Sequence, residues 1–239
     1  MSLLTEATVA GAGSRTRERV APWLHTVFIV GVLVVWVAMS AMRTSMGLVS
    51  DAPRWLRYSG QVMVLWLMTG TTVAGLYHRR RFLRGALGGP AFSMRELGVG
   101  AGVFVAGVIV LAVVGVALRP LHLTHLQQTV TALAPHTAAE LVLWMVVSAS
   151  AGVCEEFIFR GYLLRQVLSW SGSNWVAVIT TSALFAGMHL YEGTAAAIQI
   201  GFLGALFATV AVTTGSLRQV MIAHFLQDAI AGLALYLHH

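Results

Sequence analysis

Glu155-Glu156-Phe157-Ile158-Phe159-Arg160 puts two carboxylates and a guanidinium inside Ala139–Trp170, a segment otherwise apolar enough to lie in a bilayer. Each ionisable group placed there costs ~2.5–3.5 kcal/mol on insertion scales, so it marks a functional position by default. Helical spacing separates the three. Glu156 and Arg160 are four apart and share a face, so they can pair and neutralise each other. Glu155 is rotated about 100° from Glu156 and is left over. A carboxylate held apart from a salt-bridged neighbour in a low dielectric has the makings of a general base. Two histidines lie in other apolar stretches. His189 follows Phe185 by four residues, which sets that ring one turn away as a wall against lipid or water. His224 precedes Asp228 by four, so those two share a helix face.

The background is membrane-like. Of 239 residues, 57% are hydrophobic and 10% charged, with a mean hydropathy of +0.78, whereas soluble domains carry about 25% charged residues. The expected fold is all-α, a polytopic transmembrane helical bundle. The net charge of +6 comes from 15 arginines without a lysine. They cluster between apolar runs and form no continuous basic face, which gives no reason to expect a nucleic-acid partner. A lysine-free basic set suggests a high-GC bacterial source. The lone Cys154 cannot form an intrachain disulfide, and nothing beside it activates it as a nucleophile.

Taken in order, residues 1–22 read as a disordered cytoplasmic tail with Arg15, Arg17 and Arg19, and 23–239 as a single membrane domain. Spans are expected at His25–Met42, Trp55–Tyr77, Leu97–Leu118, Ala139–Trp170, Trp175–Leu190, Ala195–Val212 and Leu217–Leu237, about seven in all, or eight if a helix is split or re-entrant. A cleaved signal peptide ending near Ala38-Met39-Ser40 is the rival for the first. His78 to Arg84 is the strongest positive-inside signal and puts the N-terminus in the cytoplasm. Gly85–Pro90 is expected to be a turn and Phe92–Glu96 an interfacial lead-in. The fourth span exceeds one upright crossing and should project beyond the bilayer. His122, His125 and His136 lie in an outer loop and read as interfacial polar residues. Gly187, Gly201 and Gly204 are expected to be close helix contacts. Counted from the turn near Gly172, Glu155 and His189 lie roughly 25 Å along their helices, but His224 is only about 10 Å from its own turn.

The motifs Glu-Glu-x-x-x-Arg at 155–160, Phe-x-x-x-His at 185–189 and His-x-x-x-Asp at 224–228, in this order and each in its own apolar segment, resemble the CPBP family. That family, also called Abi, contains CAAX prenyl endopeptidases and bacteriocin-processing or self-immunity membrane proteins. Phe159-Arg160-Gly161 and Gly215-Ser216-Leu217 are similar to the family as well, and the resemblance covers about 92–237. It implies peptide-bond hydrolysis at or within a bacterial plasma membrane, on a membrane-delivered protein or peptide. It also implies that Glu155 and His189 activate the water, that His224 and Asp228 stabilise the oxyanion or bind a metal, and that Glu156 and Arg160 are structural. Two histidines and two carboxylates (Glu155, His189, His224, Asp228) suit a divalent ion, zinc first. A metal-free mechanism stays open beside it. The prenyl proteases often carry asparagine where this chain has Asp228, and an ionised aspartate cannot donate to an oxyanion. Asp228 therefore fits a metal ligand or a group that orients His224. Two rivals are a non-catalytic membrane immunity or binding protein and a transporter or proton relay, since buried Glu, His and Asp also line ion paths.

Overall fold

The structure, a computed structural model, describes residues 20–45, 52–87, 93–123 and 132–238. The tail with Arg15, Arg17 and Arg19, together with Asp51, Gly88–Phe92, His125 and His239, lies outside the described residues. Among those described, every regular element is helical. These are α1 (Trp23–Ser45), α2 (Arg54–Ala74), α3 (Arg79–Ala86), α4 (Met94–Leu118), α5 (Ala138–Glu156), α6 (Leu164–Ser171), α7 (Asn174–Met188), α8 (Thr194–Thr214) and α9 (Arg218–Leu237). A π-helical segment, Phe157–Leu163, joins α5 to α6 without a break.

Four stretches are long and apolar enough to cross a membrane: Met94–Leu121, Ala138–Ser171, Thr194–Thr214 and Arg218–Leu237. Trp23–Met39 and Asn174–Met188 are apolar but shorter. The protein is therefore an all-helical integral membrane protein, and four of the seven expected spans meet the length and hydropathy of a crossing. α2 is long enough at 21 residues but carries Arg54 and Arg57 in its first turn. Its threonines Thr69, Thr71 and Thr72 return their hydroxyls to the carbonyls of Leu65, Leu67 and Met68 within the same helix.

Local sequence explains the helix ends. The stretch expected as an interfacial lead-in is instead the start of α4. Ser93 accepts from the Glu96 backbone N–H, and the Glu96 carboxylate accepts from the Ser93 N–H. This is a reciprocal cap that satisfies two orphan donors. Thr137 caps α5 by accepting from Glu140 N–H, and Ser173 caps α7 by accepting from Val176 N–H, both without the reciprocal bond. Gly172 and Gly215 take φ of 69° and 71° at the ends of α6 and α8, the left-handed conformation that glycine adopts without strain. Glu96 also reaches across to α9, accepting from Arg218 Nη1 at 3.2 Å and from Ser216 Oγ at 3.4 Å. The cap of α4 thus anchors the start of α9.

The long fourth segment does outrun its neighbours, and this removes the depth mismatch of His224. α9 does not begin level with the Gly172 turn. Leu217 sits beside Gly161, in the middle of the π segment, where a Cβ would come within 2.9 Å of Leu217 Cδ1. Leu217 N–H donates to Ala86 O at 2.9 Å. α6 continues past that level and meets α3, with the Arg165 guanidinium 5.4 Å from the Phe82 ring centre. Gln166, fully buried, clips α1 by donating to Ala21 O at 3.0 Å and accepting from Ala21 N–H at 3.2 Å.

Close helix approach occurs at Gly201 and Gly204, as expected, but not at Gly187, where a Cβ would meet nothing within 4 Å. A close backbone approach at Gly152 has no signal in the sequence. A Cβ at Gly152 would stand 3.0 Å from Met221 O and 3.1 Å from Phe225 N. Those are main-chain atoms of α9 and cannot swing away. Gly152→Ala should therefore destabilise the protein by about 1–3 kcal/mol, the usual cost of overpacking. Gly187→Ala should be neutral or gain up to about 1 kcal/mol from helix propensity. Thermal unfolding of the two purified variants in one detergent checks the difference.

Candidate active site

The site is assembled where α5, α7, α8 and α9 meet, and its centre is a carboxylate. Glu156 ends α5 fully buried. Its Oε1 accepts from Arg160 Nη1 at 2.9 Å, as the four-residue spacing requires. The same oxygen accepts from His224 Nδ1 at 2.8 Å, across 68 residues. Nothing in local spacing signals that second bond, which adds to the structural role expected for Glu156. Beyond neutralising Arg160, Glu156 fixes the ring of a candidate catalytic histidine. A carboxylate only accepts, so His224 Nδ1 carries the proton, and Nε2 is the nitrogen turned to the cavity side. Asp228 Oδ2 stands 3.5 Å from that Nε2. Such a contact is too long for a strong hydrogen bond, and the nitrogen stays available.

Arg160 is 1% exposed and is held by more than its carboxylate. Nη2 donates to Gly204 O at 3.1 Å, an approach that Gly204 permits because a Cβ there would lie 3.0 Å from Nη2. The guanidinium carbon stands 4.2 Å over the Phe185 ring centre, an arrangement in which the ring face attracts the cation. Phe185 is buried, as expected of a wall. Its other neighbours are His189, with ring centres 4.7 Å apart, and His224, at 6.2 Å. The Phe185 ring thus contacts the guanidinium and both imidazoles.

His189 caps the C-terminal end of α7. Its Nδ1 donates to Phe185 O at 2.8 Å. A carbonyl can only accept, so Nδ1 bears a proton and Nε2 is the ring nitrogen left free. Tyr191 lies nearly parallel to this ring, 27° off with centres 6.1 Å apart. Glu155 is half-buried and interacts electrostatically with His224, His189, Asp228 and Glu156. The four residues singled out from the sequence are therefore neighbours in space.

A cavity of about 300 Å³ adjoins them, with His189, His224, Asp228, Phe185 and Phe207 in its wall. Glu155 is not part of that wall. Leu111 of α4 closes one side, and Gln199, Gln227 and Glu192 supply polar groups that sequence reasoning passed over. The signals existed. Gln199 is the one strongly polar side chain of Ala195–Val212, Gln227 adjoins Asp228, and Glu192 is one of only nine acids.

The other candidates fall elsewhere. Cys154 is buried, with its thiol hydrogen-bonded to Thr69 of α2. His136 accepts from Arg54 Nη2 at 3.2 Å, and its N–H donates to Glu140 at 2.8 Å. It belongs to the link between α2 and α5. His122 sits in the turn after α4. Among the described residues, no group of three or more His, Cys, Asp or Glu side chains has its donors gathered to hold a metal ion. His224 Nδ1 is committed to Glu156 and His189 Nδ1 to Phe185 O, bonds that orient a histidine and leave its Nε2 as the atom that would meet a metal, beside the Asp228 and Glu155 carboxylates.

Residues 137–230 match the family model described as Type II CAAX prenyl endopeptidase Rce1-like. The match starts at the cap of α5, ends two residues after Asp228, and so takes in all three motifs. It agrees with the CPBP resemblance and supports a protease. No match is found among curated proteins or among solved structures.

Removing one partner of the buried pair should be costly. Arg160→Met leaves Glu156 and His224 without their cation and should lose about 3–5 kcal/mol, whereas Glu156→Leu combined with Arg160→Met should recover most of that loss. Thermal unfolding of the single and double variants measures both effects.

Proposed function

We propose that the protein is an intramembrane endopeptidase that hydrolyses a peptide bond in a membrane-delivered protein or peptide. The observation that carries this reading is the fixing of both imidazoles by their Nδ1 atoms, which leaves two Nε2 atoms and the Asp228 carboxylate at one cavity. In this mechanism Glu155, assisted by His189 Nε2, takes a proton from water as the hydroxide attacks the scissile carbonyl. His224, doubly protonated between Glu156 and Asp228, donates its Nε2 proton as a hydrogen bond to the oxyanion. Asp228 orients that N–H and does not itself donate. Collapse of the intermediate breaks the C–N bond, and Glu155 returns its proton to the leaving amine. Glu156, Arg160 and Phe185 position these groups without touching substrate.

The remaining expectations join the same proposal: a bacterial plasma membrane, about seven spans, a cytoplasmic N-terminus, and 23–239 as one membrane domain with its protease-like core at 92–237. Cleavage of a CAAX-type substrate is the finer activity that the family description suggests. Zinc bound by Glu155, His189, His224 and Asp228 is the competing form of the chemistry, and it would use the two Nε2 atoms that the Nδ1 bonds leave free. Elemental analysis distinguishes the two. Stoichiometric zinc in purified protein that falls in His224→Ala would replace the metal-free assignment.

Glu155→Gln keeps the shape and removes the base. It should lower the cleavage rate by about 10²–10⁴-fold, the usual contribution of a positioned base, while the unfolding temperature stays within a few degrees. Full turnover by the folded Glu155→Gln protein would remove Glu155 as the base, whereas a wild type without turnover whose biological effect survives Glu155→Gln would leave the binding or immunity reading.

A further inference from the structure

The helix α3 (Arg79–Ala86) carries four arginines in eight residues and no acid. At 1.5 Å per residue it is about 12 Å long, too short to cross a bilayer. Its two sides differ. Phe82 and Leu83 pack on the core, and Ala86 is fully buried. The Phe82 ring meets the Phe157 ring of the π segment edge-on, with centres 6.0 Å apart. Arg165 of α6 stands over Phe82 and donates to Gly85 O at 3.3 Å, and Ala86 O accepts from Leu217 N–H at 2.9 Å. Arg80, Arg81 and Arg84 fall on the other side of the helix, and all three are exposed.

This helix lies at the level of a membrane boundary. Two stretches long and apolar enough to cross, Met94–Leu121 and Arg218–Leu237, both begin there. Leu217, which precedes the second, is the residue bonded to Ala86. The cap of the first is tied to Arg218 through Glu96 at 3.2 Å. Tyr77, just ahead of α3, and Trp23, which opens α1, are 54% and 63% exposed. Such amphipathic rings gather at headgroup depth. Tyr77 N–H donates to Val20 O, which puts the two rings at one end of the bundle. Charge there is one-sided. Among the described residues, Glu96 is the carboxylate tied into this end, and it is paired with Arg218. The other described acids belong to the link between α2 and α5 or to the site. Neither Arg80 nor Arg84 meets a carboxylate among the described residues.

We propose that the Arg80–Arg81–Arg84 face of α3 is a dock for the anionic phosphodiester headgroups of bilayer lipids, and that a lipid seated there braces α3 against the start of α9. Arg80 and Arg84 are four apart and can close on one headgroup. A guanidinium offers two parallel N–H donors that match the oxygens of a phosphate. The inner side of α3 passes the contact on, through Phe82 to the π segment and through Ala86 to the first turn of the helix that carries His224 and Asp228. This dock requires a membrane and is independent of the peptidase reading.

Native mass spectrometry of the full-length protein, released from a neutral detergent with equal amounts of phosphatidylglycerol and phosphatidylcholine, counts the lipid retained. Phosphatidylglycerol should be retained about tenfold or more over phosphatidylcholine, given about fivefold per arginine near an anionic surface. Arg80→Gln combined with Arg84→Gln should bring the ratio close to one, whereas lysine at both positions should keep most of the preference. Arg119→Gln, an exposed arginine just past the opposite end of α4, should leave it unchanged. Equal retention of the two lipids, a preference unmoved by the double glutamine variant, or an equal loss in Arg119→Gln overturns the dock. Displacement of the lipid by excess glycerol 3-phosphate makes this a free-phosphate site and overturns the lipid assignment. Phosphatidylglycerol should also raise the unfolding temperature of the wild type more than phosphatidylcholine does, and the double variant should erase that difference. A lipid preference without such a rise keeps the dock and removes the bracing.

Discussion

One oxygen, Glu156 Oε1, holds the site together. It accepts from Arg160 Nη1 at 2.9 Å and from His224 Nδ1 at 2.8 Å, and Arg160 passes the connection on to Gly204 O of α8. Three helical segments are therefore registered against a single carboxylate. Removing these charges from water costs several kcal/mol per ion, and mutual attraction returns about as much. The gain is consequently one of geometry rather than of net stability. A helix that slid by one turn would separate His224 from Glu156, and two buried charges would lose a partner together. The left-handed Gly215 and the Glu96–Arg218 bridge fix the start of α9 and oppose that slide from the other end.

The π segment follows directly from this requirement. Bonding from i to i+5 widens the helix and shifts the phase of everything downstream, and such segments gather at functional sites. All seven residues of Phe157–Leu163 are buried. They send side chains to three different neighbours: Arg160 to Gly204 of α8, Tyr162 to Thr26 of α1 at 2.8 Å, and Phe157 to Phe82 of α3. The segment that follows Glu155 and Glu156 is thus also one that much of the bundle packs around. Chemistry and core share the same turn of backbone.

Much of the fold was legible in the sequence because membrane helices are written in composition. Long apolar runs, arginine clusters and glycine turns located most elements to within a few residues. The pairing of Glu156 with Arg160, the wall formed by Phe185 and the grouping of Glu155, His189, His224 and Asp228 followed from four-residue spacing and motif order. Two things were hidden, and for one reason. The Glu156–His224 bond and the level at which α9 starts both depend on how helices far apart in sequence are offset along their axes. Periodicity within a helix carries no information about that offset. Counting depth from each turn assumed level turns, but Leu217 sits beside Gly161 rather than beside Gly172. The same blindness hid the polar lining. Gln199, Gln227 and Glu192 look like isolated polar residues until the cavity places them together.

Residues 137–230 carry the family match and every group in the proposed mechanism, yet they do not close the site alone. Leu111 of α4 forms part of the cavity wall, and Gln199 spends its amide on the Leu111 carbonyl. Gly107 lets α4 approach, since a Cβ there would lie 2.8 Å from Leu203 Cδ1. Glu96, at the opposite end of α4, holds Arg218 and Ser216. α4 therefore sets both the shape of the cavity and the seating of the helix that presents His224 and Asp228. A change at Leu111 alters the cavity wall directly, whereas a Cβ at Gly100 would press on Ile222 and Gln219 of α9 and so shift the helix that carries His224.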